Sequence, residues 1–493
     1  MYQESVWNPD LGNGFYQNPV INQDIPDPTV IRDGDTFYYC GSTGMHFPSL
    51  AIYTSKDLVN WSFLCHPFPK YNGNVWAPEL IQHEGKYYLY FAANGGDNFV
   101  SVSEHIDHGW CDPIDLKVGH IDPGHCVYNG KRYLFLSSNY AAPLSDDGLR
   151  VTGELKCVCP AQPLPDEWDI EGAYPESPKL LKHGDWYYLI YADGGTGGPA
   201  TAHAVMCARA KNPIDGPWEY SPYNPMVHTW SRDEKWCAKG HGCMVDDVTG
   251  KWWILYHAYE KGYMNQGRKV LLEPVVFTED GWPVIEGGCS AEMPRKKPAG
   301  EALPCKDSLS DSFEKGLHPL WLMYNAHDYG KLTAQNGILT MKACQAPTPG
   351  HSHPISISPG DHCYSVETTL YKPEEGCEAG VILFYDESYY GALGWKGDKL
   401  LLYRLGKVLM RFDVKAEKLK IKMRNDRHYV AFYIAEDDQP YRKLNYVQNV
   451  EPMCAAAYGG FASLRAGLYA VGEGEAKFGP FIYQSWQETD VKG

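Results

Sequence analysis

The 493 residues span about three ~150-residue domains, so the chain holds more than one core. Forty-four Lys and Arg against sixty-one Asp and Glu leave a formal charge of −17, which argues against nucleic acid as a partner because no basic excess exists to release counterions. No apolar run approaches the ~20 residues of a membrane-spanning helix, so a membrane partner is also not expected.

The chain begins MYQESVWNPDLG, with neither a basic nor an apolar leader, and carries fifteen cysteines without repeated spacing. Both features predict a cytoplasmic, bacterial location unless a signal peptide has been removed. Cys157 with Cys159, and Cys237 with Cys243, lack the paired CxxC units of a metal site and are read as buried thiols. Fifteen Trp, thirty-six Tyr and sixteen Phe suit rings that pack strands together or stack on sugars.

Five segments repeat from there: GDTFYYCGS from Gly34, GKYYLYFAA from Gly85, GKRYLFLSS from Gly130, GDWYYLIYA from Gly184 and GKWWILYHA from Gly250. Each is a turn glycine followed by an aromatic strand, at the spacing of a four-stranded propeller blade. SKDLVNW at 55–61 reads as a polar loop opening a Trp-bearing strand, and helical periodicity is almost absent. The fold class is therefore all-β, a five-bladed β-propeller over 1–290. The Gly-, Pro- and Lys-rich stretch 291–306 is expected to be a linker. Over 307–493, strict alternation as in KLKIKM (418–423) and HYVAFYIA (428–435), joined across Arg424 to Arg427, predicts a β-sandwich.

A polar residue lies 6 to 9 positions before each turn glycine: Asp27, Glu79, Asp122, Glu176 and His241. A short apolar stretch follows each one. This is the innermost strand of a blade entering from a loop, so five such loops converge on one axial mouth. Asp27, Asp122 and Glu176 stand beside or near prolines, which restrain the backbone around a carboxylate. Convergent carboxylates repel, so one tends to keep its proton while another stays ionised, the condition for a glycosidase acid and base to coexist. Glu79 is expected to sit in the wall of the funnel. Gly194 to Gly198 (GGTGG) has neither the strand-to-helix setting nor the Lys of a phosphate loop.

The segments YQNPVINQDIPDPTVI (16–31), SKDLVNW, VWAPELIQHEGKYYLYFA (75–92), HIDPGH, ESPKLLKHGDWYYLIYADGGT (176–196), KGHGCMV and GWPVIE resemble glycoside hydrolase family 43. The resemblance covers the first ~290 residues. It implies a five-bladed propeller and an inverting mechanism, with Asp27 as general base, Asp122 as the residue that orients the acid and tunes its pKa, and Glu176 as general acid. His241 resembles the axial histidine that meets a hydrated divalent cation, usually calcium, and is a candidate metal contact. Arg268 resembles an arginine contacting the bound sugar; Trp76, Phe47 and His241 complete the substrate-binding candidates. Glu171-Gly172 is a decoy for the acid, rejected because Glu176 shares the 8-residue offset of Asp122. Gly44 replaces an aromatic common in several xylosidase subgroups.

The implied function is exo-acting release of xylose, arabinofuranose or both from hemicellulose-derived oligosaccharides. The alternatives are an arabinan- or galactan-active glycosidase of the same family, or a non-catalytic carbohydrate-binding propeller. No cofactor is expected to be required, although the resemblance admits a structural Ca2+ on the propeller axis. The expected partner is a small oligosaccharide, and a homo-oligomer is admitted. The trailing sandwich resembles the accessory domain of family xylosidases.

Overall fold

A computed structural model describes residues 5, 7–68, 73–288, 291–305, 307–326 and 329–487. The chain divides into two compact units. One comprises Pro9–Lys261 with Arg268–Lys306, the other Met1–Asn8, Gly262–Gly267 and Asp307–Gly493.

The first unit is a five-bladed propeller whose blades are antiparallel sheets of four strands wound in chain order from the innermost outward, the fourth blade adding a fifth strand, Val227–His228, on its third. The innermost strands are Thr29–Asp33, Val75–His83, Gly124–Tyr128, Glu176–His183 and Trp236–Asp246. The five repeated glycines all lie at the first hairpin of a blade with φ between 58° and 82°, the left-handed backbone that a Cβ disfavours. The aromatic strand after each glycine packs against the neighbouring blade. Tyr88 and Tyr90 of the second blade, for example, bury against Leu134 and Leu136 of the third. Comparable apolar layers separate the first blade from the second and the fourth from the fifth, so the core is a ring of interfaces.

The ring closes through the segment before the first blade. Val20 N–H donates to Val270 O (2.9 Å), and the Tyr16 hydroxyl and Asn18 amide both donate to Leu272 O, at 2.7 and 3.0 Å. Asn18 Oδ1 in turn accepts from Leu272 N–H at 2.9 Å.

The expected linker is corrected here. Arg295 and Lys296 pair with Tyr16 and Phe15 as an antiparallel ribbon, Lys297 bonds Asp57 (2.8 Å) and Asp10, and Ala299 N–H donates to Asp247 (3.2 Å). Residues 295–299 find backbone and charge partners in the propeller unit. Likewise, six residues of the fifth blade's hairpin loop, Gly262–Gly267, and the first eight residues group with the second unit.

The second unit is a β-sandwich of two antiparallel sheets. Strand Lys418–Asp426 buries Leu419, Ile421 and Met423 and turns its lysines outward, and it pairs with Tyr429–Glu436, which buries Val430, Phe432 and Ile434. The strand continues through Arg424, Asn425 and Asp426, so the expected four-residue connection is a two-residue turn at Arg427 and His428. Among the described residues, no helix is long and apolar enough to cross a membrane.

Candidate active site

The structure draws Asp27, Asp122, Glu176 and His241 together at the propeller axis. Donor atoms of Asp122, Glu176 and His241 all lie within 4.8 Å of one another, as do those of Asp27, His241 and His257. Asp27 and Asp122 stand in loops, two residues ahead of their strands, as expected. Glu176 opens its strand, and Glu79 and His241 lie within theirs beside breaks in the register, where a bulge re-aims side chains. Asp27, Asp122, Ser177 and His241 have positive φ (61°, 58°, 55° and 58°), non-glycine strain concentrated around one point.

Asp27 is the most tightly held. Its Oδ1 accepts from Arg268 Nη1 at 2.9 Å and lies 3.2 Å from His257 Nδ1, and its Oδ2 accepts from the Ser42 hydroxyl. Burial by itself would raise this carboxyl. The Arg268 guanidinium outweighs it, helped by His257 and His241, and holds Asp27 well below the usual carboxylate range. Arg268 is itself anchored through its backbone N–H on Asp24 (2.9 Å).

Glu176 behaves in the opposite way. Burial, then the charge of Asp27, push it up to about 8 against the pull of Arg268, with Asp193 and Glu171 adding to the rise. It is nevertheless the more accessible carboxylate, with 18% of its side chain exposed against 10% for Asp27. His203 Nε2 lies 3.2 Å from its Oε1, and burial keeps that imidazole neutral, at about 4. The His203 ring packs where a Cβ on Gly240 would stand, 2.1 Å from its Nδ1, so the glycine of KGHG makes room for the imidazole beside the acid. Asp122 is raised by burial and by Glu176, and it accepts the Ser177 N–H at 3.1 Å.

A lysine ties three blades together behind these groups. Lys179 Nζ donates to Glu79 Oε2 (2.7 Å), Pro78 O (2.9 Å) and Pro123 O (3.1 Å), which satisfies all three of its protons. Glu79 also accepts from Thr29 at 3.1 Å, so it is fixed in the wall.

The remaining candidates divide. Trp76 is half-buried on the innermost strand of the second blade, three residues before Glu79. Phe47 is buried. Gly44 has φ 57°, so the backbone itself disfavours the aromatic expected there, and its amide and carbonyl bridge to Val75. The decoy Glu171 is occupied by the Gly-rich turn, accepting the Gly197 N–H at 2.7 Å. His241 is 2% exposed, with Nδ1 3.7 Å from Asp27, while its Nε2 has no partner among the described residues.

Sequence reasoning missed Ser42, Asp193, His203 and His257. Three of them follow a rule that was available. In an antiparallel hairpin, a residue some positions before the turn faces one about as many positions after it. Reflecting Asp27 and Glu176 through Gly34 and Gly184 lands next to Ser42 and Asp193, and reflecting His241 through Gly250 lands two residues from His257, because the hairpin's register shifts.

Comparison with known proteins agrees with this geometry. The model of the glycosyl hydrolases family 43 matches residues 16–283. A non-reducing end alpha-L-arabinofuranosidase of Bacteroides ovatus is 26% identical, over 96% of this chain and 94% of its own length. A putative beta-xylosidase of Escherichia coli is 29% identical, over 66% of this chain and 68% of its own. Among solved structures, the GH43 protein BlXynB of Bacillus licheniformis superposes with a TM-score of 0.87 at 25% identity, covering 96% of this chain and all of the other. With the family match spanning more than half of its length, the chain belongs to glycosyl hydrolases family 43 and is a glycoside hydrolase.

Proposed function

We propose that the protein is an inverting, exo-acting glycosidase that releases xylose, arabinofuranose or both from hemicellulose-derived oligosaccharides. The observation that carries this reading is the unequal setting of two carboxyls on one axis: Arg268, 2.9 Å away, holds Asp27 low, while burial and the charge of Asp27 push Glu176 up to about 8. Asp27 takes a proton from water as the oxygen attacks the anomeric carbon, and Glu176 gives its proton to the leaving oxygen on the opposite face. Both Asp27 oxygens already accept hydrogen bonds, yet a carboxylate offers about four lone-pair directions, which leaves room for the water. Asp122 orients the Ser177 amide beside the acid, and its repulsion favours a shared proton in the pair. Arg268 acts on the base by keeping it charged.

The pentose assignment draws on the two relatives named above, an arabinofuranosidase and a putative xylosidase. The unpaired Nε2 of His241 fits a hydrated divalent cation, whose charge would steady the surrounding carboxylates. Buried free thiols such as Cys40, Cys126 and Cys207 suit a reducing, cytoplasmic compartment. A panel of aryl pentosides and hexosides, with the first-released anomer followed by NMR, tests the reading. Inverted xylose or arabinose is expected, and either a retained anomer or no pentose release would overturn it.

A further inference from the structure

Outside the catalytic cluster, the fourth blade carries an unusual surface. Trp230 is 63% exposed, the most open large hydrophobic side chain among the described residues. It does not dangle. Its ring meets His228 edge-on at 4.8 Å and Trp168 edge-on at 6.0 Å, while Trp168 and His228 stack at 4.2 Å. Its backbone N–H donates to Glu234 Oε1 (2.7 Å), which also accepts from Ser231 N–H (3.0 Å), and Arg232 pairs with Asp169 next to the rings. The indole is therefore a fixed, solvent-facing plate with a charged rim, which is costly in water unless something covers it.

Strand register places the plate relative to the chemistry. His228, which the Trp230 ring meets edge-on, pairs with Ala204, the residue after His203. His203 is the imidazole lying 3.2 Å from Glu176. Glu171 of the loop that carries Trp168 holds the Gly197 N–H, and the neighbouring Thr196 hydroxyl lies 3.2 Å from His257, which stands beside Asp27. Through His203 the plate is joined to the carboxyl proposed as the acid, and an acid by its role stands beside the departing chain.

We propose that Trp230, braced by Trp168 and His228, is a sugar-stacking subsite for the leaving-group portion of an oligosaccharide, beyond the ring next to the scissile bond. This rests on the proposed function for the identity of the sugar, and on the geometry for its side. An aromatic plate suits the apolar face of a pyranose, and a rigid one binds with little ordering cost. The Arg232–Asp169 rim is placed to bond hydroxyls at the edge of that ring.

The test compares wild type, Trp230→Ala and Trp230→Phe on xylotetraose and on nitrophenyl xyloside, whose single aryl ring stops short of the plate. Trp230→Ala is expected to raise KM for xylotetraose about tenfold, equivalent to about 1.4 kcal/mol, with kcat little changed. Nitrophenyl xyloside should stay within about twofold, and Trp230→Phe should recover most of the loss. An unchanged tetraose KM, an equal loss on both substrates, or a loss explained by a changed oligomeric state in sedimentation would overturn the subsite. Should wild type release no xylose, the xylose part of the proposed function fails separately, and titration of tryptophan fluorescence with xylo-, arabino- and galacto-tetraose decides the subsite. A saturable change that Trp230→Ala abolishes supports it, and none from any of the three overturns it.

Discussion

Asp27 and Glu176 are the same kind of group under different neighbours. Arg268 sits on one, while Asp122 and a neutral His203 stand by the other, and that contrast predicts how each variant fails. A general acid matters in proportion to the leaving group's need for a proton, so Glu176→Gln should cost roughly 10² to 10⁴-fold on xylobiose and little on a dinitrophenyl glycoside. Asp27→Asn should be comparably severe on both, because every substrate needs the activated water. Steady-state kinetics across leaving groups checks this. A leaving-group dependence appearing in Glu171→Gln instead would transfer the acid role to that residue. The pH profile adds an independent check. Activity needs Glu176 protonated, so kcat/KM should fall through an alkaline limb near pH 8. Asp193, at about 6, is ionised there and its charge raises Glu176, so Asp193→Asn should move the limb to lower pH. An unmoved limb would leave Asp193 merely holding the Gly194 amide.

The innermost strands show which parts of the site the amino-acid sequence makes legible. Asp27, Asp122, Glu176 and His241 share an offset from a repeated glycine, and a repeat exposes whatever its members have in common. His203 has no such offset, since it lies in the loop before the third strand of its blade and reaches Glu176 only because Gly240 of the next blade leaves room. Phe47 is buried, and pattern identifies an aromatic near the site but not how much of it is open. Lys179 was unreadable as well, since a lysine on a strand ordinarily reads as solvated. Here it is buried with Glu79, the two side chains 6% and 9% exposed, and it joins the second, third and fourth blades. Lys179→Met leaves the Glu79 charge uncompensated and should destabilise the propeller by about 3 to 5 kcal/mol. Adding Glu79→Gln should return a good part of that, a coupling that urea denaturation of both singles and the double would measure. Purely additive losses would show that the pair does not act as a unit.

At the scale of the molecule, the composition of residues 291–306 suggested a linker, whereas residues 295–299 find partners in the propeller unit. Glycine, proline and lysine are common in linkers, but composition cannot show that Lys297 meets Asp57 and Asp10 or that Arg295 and Lys296 pair with the strand at Phe15 and Tyr16. Two truncations separate the readings. A chain ending at 290 loses the ribbon and leaves Asp57, 0% exposed, without its lysine, so it should be insoluble or unfold several degrees below the longer fragment. A chain ending at 306 keeps that unit whole and should fold. It strips Gly262–Gly267, however, of Val450 O, which accepts from Asn265 Nδ2 (3.2 Å), of Asp361 O, which accepts from Gln266 Nε2 (3.1 Å), and of the His362 ring stacked 3.5 Å from Tyr263. The next residue in the chain is Arg268, which keeps Asp27 ionised. A loosened loop relaxes that anchor, so the 1–306 fragment should hydrolyse nitrophenyl pentosides at least tenfold more slowly than the full chain while melting cooperatively. Full activity in that fragment would show that blade five positions Arg268 unaided, and equal thermal stability of the 290 and 306 fragments would restore the linker reading.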